Sequence, residues 1–475
     1  MSNKQLNLKN ILKDRFNLAA ALTFTILTLL IIAFWLLSVI SQPHVRFFEL
    51  EGQINSADFS NQRVKVFFSS PMNKDSTQNY ITIEPSIDFK TAWSGNNLFI
   101  IFDTNLRSTT SYTIKFSPDF KDLYNKALST QSITFKTKKQ EFLYVDSSNN
   151  TKKIVKSDLD FNKVVLYENE NIETFDAGKS YLAVITKNPN QTNSLNIINI
   201  DNKSVTTLNV GTKIIPSISF SPKLNEIAYV TQSVILRSTY AQPLEDTSIN
   251  FYNIDTKETK TINYSAPGEG VTNIKYAPDG NSILYKTSQS YYQIMDVSNA
   301  ENSIILGRFL ADGGFNFDGS KLAFVEFDPV QAFSKNQYIA EINVERDSRL
   351  ITNGDVPVLD PEYFNNSAGI IYSQRYKDLD ERTKGQYRIV KDLGNNNFQV
   401  LVEDEKRSLE IPKLSFDDRY ILIEGYKETD LLSFENSRSF GFQTKPQTSD
   451  LMLFDLENNK LIDLNVRGYD AMWLR

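Results

Sequence analysis

No cysteine occurs in the 475 residues, and there is one histidine, His44. The first absence excludes structural disulfides, thiolate zinc sites, a cysteine nucleophile and a lipid-modified cysteine. The second leaves no multi-histidine metal site within one chain and speaks against a Ser-His-Asp triad. Gly-rich phosphate loops, H-E-x-x-H and G-x-S-x-G are also missing. Excess basic charge is absent as well. The net charge is −6, and without the first 17 residues, which hold four bases and one acid, the remainder carries −9. A chain of that sign is not built around the phosphate backbone of a nucleic acid.

What is present is aromatic and β-forming. Aromatics make up 12% of the chain, with 32 Phe and 22 Tyr against 3 Trp. That is a globular, β-leaning composition. One run stands apart: LAAALTFTILTLLIIAFWLLSVI, residues 18–40, is 23 residues long without a charge. At about 1.5 Å per residue it is long enough to cross a hydrocarbon core of about 30 Å. Lys4, Lys9, Lys13 and Arg15 precede it and Trp35 lies near its far end. The positive-inside rule therefore predicts a cytoplasmic tail (1–17), a transmembrane helix (18–40) and everything later outside the cytoplasm. A cleaved signal peptide is the alternative, although its apolar core is usually about 7–15 residues.

A short stalk to about Arg46 and a β region follow, together residues 41–139. Alternation such as RVKVFF (63–68) and NNLFIIF (96–102), with turn signals between, predicts about seven short strands and a β-sandwich. The segments VFFSSPMNKDS (66–76), ITIEP (81–85), WSGNNLFI (93–100), TSYTIKF (110–116), KDLYNKAL (121–128) and ITFKT (133–137) resemble the SbsA-type bacterial Ig-like domain. That family places Gly after the Asp of a D-x-x-G-N turn, where this chain has Tyr124. The resemblance implies a spacer or stalk module, with direct adhesion as the second role.

Residues 140–475 repeat one pattern. YAPDGNSILYKT (276–287) is a tight reversal, with Pro278, Asp279 and Gly280 suited to the turn, leading into a β-rich run. Related stretches place aromatics at Phe175, Phe220, Tyr276, Phe317, Phe364 and Phe416, spaced 41 to 56 residues apart. Each is followed by a second hairpin, as in LNIINIDNKSVTTL (195–208). A four-strand unit of this length predicts a propeller blade. EFLYVD, TKKIVKSDLD and NKVVLY (141–167) supply the second, third and fourth strands of one more blade, and YDAMWLR (469–475) supplies its first, with Trp473 near the aromatic position. Pairing them would close the ring. Seven blades are favoured, with six or eight as alternatives. The repeats resemble the TolB-type, WD40-like propeller, whose turn is aromatic-Ser-Pro-Asp-Gly; that superfold hosts binding, scaffolding and enzymatic roles.

The expected fold is thus all-β apart from one N-terminal transmembrane helix, an Ig-like β-sandwich followed by a β-propeller. DLDFN (158–162) opens like a calcium loop but lacks the Gly at its sixth place and a carboxylate at its twelfth, so it reads as a turn. No catalytic residue, metal or cofactor is assigned. The connections between second and third strands are long: 232–247, 328–336, 375–385 and 427–449. Long loops without structure of their own are commonly functional. They carry Arg237, Tyr240, Phe333, Arg375, Tyr376, Phe434, Arg438, Phe440 and Phe442, residue types favoured at interfaces. The expectation is a membrane-anchored, non-enzymatic scaffold of the cell envelope whose long-loop face binds a protein or wall polymer. The alternatives are a structural surface or adhesive protein, and a glycan hydrolase or lyase with paired carboxylates in the channel.

Overall fold

A computed structural model describes residues 15–40, 42–51, 63–130, 132–148, 151–233, 247–264, 270–288, 291–299, 303–308, 311–316, 319–327, 337–343, 348–350, 358–365, 369–378, 385–394, 397–427 and 449–474. Among the described residues the molecule is all-β apart from helix α1 (Arg15–Ile40) and one short 3-10 turn. It forms two compact units.

The first unit contains α1 and the sandwich. Seven strands follow the helix: β1 (Val45–Glu51), β2 (Arg63–Phe68), β3 (Ile81–Glu84), β4 (Phe89–Ser94), β5 (Asn97–Phe102), β6 (Ser111–Phe116) and β7 (Ser132–Lys136). They pair as one sheet of order β1-β2-β5-β4 and a second of order β3-β6-β7. Strict alternation in β2 and β5 sends Val64, Val66, Phe68, Leu98, Ile100 and Phe102 inward. Period-two side chains make this the stable arrangement of two facing sheets. Phe120 sits at the centre, with its ring 5.8 Å from Phe68 and 6.1 Å from Phe116. β1 already begins at Val45, inside the stretch expected to be stalk.

The turn at Tyr124 shows why the missing glycine costs nothing. Asp122 Oδ1 accepts the backbone N–H groups of Tyr124 and Lys126 at 2.9 and 2.8 Å. The left-handed residue is Asn125, at φ 67°. Asn tolerates that region, so Tyr124 needs no special freedom.

The second unit is a β-propeller. β8 (Glu141–Asp146), β9 (Lys153–Asp158) and β10 (Lys163–Glu168) open it. Successive antiparallel groups follow. They are β11 (Ile172–Ala177), β12 (Tyr181–Lys187), β13 (Asn193–Asn199) and β14 (Val205–Leu208); then β15 (Lys213–Ile214), β16 (Ile218–Phe220), β17 (Glu226–Ser233), β18 (Thr247–Asn253) and β19 (Thr259–Tyr264). Next come β20 (Val271–Tyr276), β21 (Ser282–Thr287), β22 (Tyr291–Asp296) and β23 (Ser303–Arg308); then β24 (Ala311–Phe315), β25 (Lys321–Phe327), β26 (Gln337–Asn343) and β27 (Ser348–Leu350). The last are β28 (Val358–Tyr363), β29 (Ile370–Asp378), β30 (Gly385–Asp392) and β31 (Phe398–Val402), and finally β32 (Arg407–Leu414), β33 (Tyr420–Lys427), β34 (Ser449–Asp455) and β35 (Lys460–Trp473). Each group is a meander in sequence order.

β35 closes the ring. Its first half, Lys460 to Gly468, pairs with β34, and its second half, Gly468 to Trp473, pairs with β8. A fourth strand of one group therefore runs without a loop into the first strand of the next. Gly468 is the pivot: a Cβ there would collide with the carbonyl oxygen of Val145. Consecutive groups share hydrophobic clusters, as when Ala183, Ile185 and Leu195 meet Phe220 and Tyr229. The last shares one with the first, where Leu422, Leu451 and Leu453 meet Phe142, Tyr144 and Trp473. The repeat aromatics fill these seams: Phe175, Phe220, Tyr276, Phe364 and Trp473 are buried, Phe416 is half-buried, and Phe317 lies outside the described residues.

Candidate functional site

First strands of neighbouring groups lie against each other, β11 on β16, β16 on β20, β24 on β28 and β28 on β32. Strands so arranged are the innermost ones around a propeller's central channel. These strands share a feature that repeat spacing does not reveal: six of them break register. The extra residues are Glu173 in β11, Thr272 in β20, Asp312 and Gly313 in β24, Asp360 and Pro361 in β28, Ile411 and Pro412 in β32, and Asp470 and Ala471 in β35. A bulge bends its strand and re-aims a side chain. Asp360, Ile411 and Asp470 take φ of 51°, 53° and 53°. For the β-branched Ile411 that backbone is strained, at a cost of roughly 1–3 kcal/mol.

The carboxylates at and beside these bulges tie one group to the next. Asp176 Oδ2 accepts the Phe220 N–H at 2.7 Å, Asp360 Oδ2 that of Ile411 at 3.3 Å, and Glu362 Oε1 that of Leu414 at 3.2 Å. Asp470 Oδ2 accepts from the Thr174 hydroxyl at 3.1 Å. Glu424, 1% exposed, accepts from the Ala471 N–H at 3.3 Å and from the Tyr426 hydroxyl. Ser217 and Ser219 serve in the same way, accepting from Ile274 and Tyr276 at 3.1 and 3.0 Å. Trp473 Nε1 donates to the Lys413 carbonyl at 2.8 Å.

Burial governs the charges here. It raises the Glu362 carboxyl, against the pull of Lys413, whose Nζ lies 3.7 Å away, and of Lys275. It lowers the Lys152 ammonium, with Glu173 and Asp470 opposing. It raises the Tyr426 phenol well above its ordinary value, reinforced by Glu424. Glu410 and Glu424 are directly opposite across β32 and β33, and Glu410 accepts from the Ser408 hydroxyl at 2.8 Å. That pair is the one place on the described inner wall where two carboxylates face each other as register partners. Among the described residues no group of three or more His, Asp or Glu could hold a metal ion. At 158–162 the Asp158 carboxylate accepts the backbone N–H groups of Asp160 and Asn162, and the Lys139 ammonium lies against Asp158 and Asp160. The segment is a turn, with a lysine where a cation would bind.

Of the nine loop-face residues, Arg375 and Tyr376 are described. Both are in β29, whose pairing runs on to Asp378, so this connection is shorter than the sequence suggested. The Tyr376 hydroxyl donates to the Asp404 carbonyl at 2.9 Å and the Arg388 guanidinium lies 5.7 Å from its ring. Arg237, Tyr240, Phe333, Phe434, Arg438, Phe440 and Phe442 lie outside the described residues, as do Lys4, Lys9 and Lys13; Arg15 and Trp35 are in α1, and their side chains are outside the description. Among the described residues no helix is long and apolar enough to cross a membrane; those of α1 whose surroundings are described are 18–34. Sequence reasoning raised paired carboxylates in the channel but named none of the inner acids. Their signal was an Asp or Glu two to six residues before some of the aligned aromatics, as in Glu173, Asp360, Glu410 and Asp470, while Phe220 and Tyr276 have none there.

Residues 50–137 match the family described as the bacterial Ig-like domain. No curated protein sequence matches the chain. Similar solved structures include an oligogalacturonate lyase in complex with manganese, at 10% identity over 71% of this chain and 93% of that one, TM-score 0.47. TolB from Acinetobacter baumannii is 11% identical over 83% and 82%, TM-score 0.39. A putative TolB from Agrobacterium tumefaciens is 10% identical over 70% and 96%, TM-score 0.37. Identities this low say nothing of activity, and overlaps this loose add nothing to the strand pairing.

Proposed function

We propose that this protein is a membrane-anchored scaffold of the cell envelope, with an SbsA-type Ig-like module and a seven-bladed propeller outside the cytoplasm. The propeller binds an envelope protein or wall polymer through the face where the long connections emerge. The observation that carries the binding reading is the use of the inner carboxylates. Asp176, Asp360, Glu362 and Asp470 each accept from a backbone or hydroxyl group of the next blade. Acids committed to blade-to-blade bonds are poor catalysts, and surface recognition remains. The anchor rests on the sequence of 18–40, and α1 supports it in one respect. The hydroxyls of Thr23, Thr25 and Thr28 donate to carbonyls one turn back at 2.9, 2.8 and 2.7 Å. Such pairing satisfies polar groups in a segment that has no water.

The test is crosslinking in intact cells and affinity capture, beside a variant whose residues 428–448 are replaced by a short Gly/Ser turn. A partner held by the wild type and lost by the variant supports the reading. Capture of its own chain alone favours a structural or adhesive protein instead. The Glu410–Glu424 pair favours a second reading, a carboxylate-dependent glycan hydrolase or lyase; turnover of a wall glycan that disappears in both Glu410→Gln and Glu424→Gln would establish it.

A further inference from the structure

The two outer faces of the sandwich differ in kind. On the β3-β6-β7 sheet the outward residues include Thr82, Glu84, Thr113, Lys115, Thr134 and Lys136. They satisfy one another: Thr113 and Thr134 hydrogen-bond at 3.0 Å, and Lys115 pairs with Glu84 at 2.5 Å. On the β1-β2-β5-β4 sheet the outward set is mainly aromatic and cationic, with the exposed Glu49 on the same face of β1 as Phe47. Phe47, 54% exposed, stacks on Phe67 with centroids 3.8 Å apart. The Lys65 ammonium lies 4.8 Å from the Phe67 ring and 5.6 Å from that of Phe99. Arg63 stands on the same face of β2, two residues before Lys65.

The chain places this sheet close to the apolar run. The Pro43 carbonyl accepts from the Ser129 N–H and hydroxyl at 2.8 and 2.9 Å, and His44 exchanges bonds with Ser69 at 2.9 Å. The sandwich therefore holds the chain from Pro43 onward, and only Ser41 and Gln42 separate it from Ile40. That gap spans at most about 10 Å. The headgroup layer on each side of a bilayer is roughly 5–8 Å deep. The sandwich thus starts at the headgroups, and β1, the strand joined to the tether, is the edge of the aromatic sheet.

The geometry points to a lipid-docking face: in the anchored protein the β1-β2-β5-β4 sheet lies on the outer bilayer surface, with Phe47, Phe67 and Phe99 at the headgroup level and Lys65 and Arg63 against anionic headgroups. This rests on the membrane anchor proposed above. A lysine whose stem covers a ring while its ammonium reaches outward suits a boundary that is apolar below and anionic above. Exposed aromatic patches on a small domain mark such contacts.

The chain has no cysteine, so one introduced cysteine carries a nitroxide label at a single place. The full-length protein is placed in nanodiscs of phosphatidylcholine with phosphatidylglycerol, labelled in Asn97→Cys or, on the opposite face, in Thr134→Cys. Collisions with oxygen, which partitions into lipid, are compared with collisions with a water-soluble nickel chelate. The expected oxygen-to-nickel ratio is several-fold higher at 97 than at 134, and it falls in discs of phosphatidylcholine alone and in the Lys65→Glu background. Equal ratios at the two sites, with the protein still in the disc, overturn the docking face and leave the anchor standing. Low nickel access at 97 without gained oxygen contact means that protein covers the sheet, and also overturns it. A chain that does not stay with the disc on gel filtration removes the anchor itself.

Discussion

Phe68, Phe116 and Phe120 meet at one point inside the sandwich, so its stability is gathered in a single core. In the propeller Phe175, Phe220, Tyr276 and Phe364 each belong to a different seam. Each of these seams is built from residues of two blades, and a seam is stable only when both its blades are in place. The sandwich is thus sensitive to one residue at its centre. The ring is sensitive to closure and tolerant of damage to any one tie.

The largest expected effect follows from closure. Removing residues 468–475 deletes the strand that pairs with β8. It also exposes the edge of β8, so the propeller is expected to lose its cooperative unfolding transition in urea and to aggregate, while the sandwich transition stays. Gly468→Val places a side chain against the Val145 carbonyl and is expected to move the same transition by about 3 kcal/mol or more. Phe120→Ala makes the opposite cut: about 3–5 kcal/mol from the sandwich transition and nothing from the propeller. Asp176→Ala leaves the buried Phe220 N–H without its acceptor, at a cost of about 1–3 kcal/mol, and Trp473→Phe loses one neutral bond, about 1 kcal/mol. A single-tie variant that unfolded the whole ring would break the contrast drawn above.

The smallest effect is one of pH. Burial raises the Glu362 carboxyl, so the folded chain binds that proton more tightly than the unfolded chain. Its contribution is therefore favourable below the ordinary carboxylate range and is lost as pH rises through the raised value. Glu362→Gln keeps an acceptor for the Leu414 N–H. It is expected to raise the Tm at neutral pH and to leave it nearly unchanged at pH about 4, read by thermal unfolding across the two conditions.

The parts of the fold that were legible are those with a short sequence period. Alternation in RVKVFF and NLFIIF gives the sandwich strands directly, and the recurring turn near Pro278, Asp279 and Gly280 gives the blades. Ring closure by the terminal strand was legible because Phe142 and Trp473 belong to incomplete units. The bulges were not. A bulge is set by what the strand must reach in the next blade, and the partner of Asp176 is Phe220, 44 residues on. Tyr376 was read as one residue of a long loop, whereas it belongs to β29. In the fold its hydroxyl is spent on the Asp404 carbonyl. The run of β35 from one group into the next was also hidden, since no turn residue had to mark a corner that does not exist.

That unbroken strand sets an order of events during biosynthesis. β8 is translated before every other propeller strand, yet its inner neighbour is the far half of β35, which is translated after all of them. Until then the inner edge of the first blade has no partner, and the emerging chain is an open row of meanders. The ring is thus complete only once residues 468–473 have been made: a chain cut short of them is a row and not a ring, and its exposed edge would identify it to a protease.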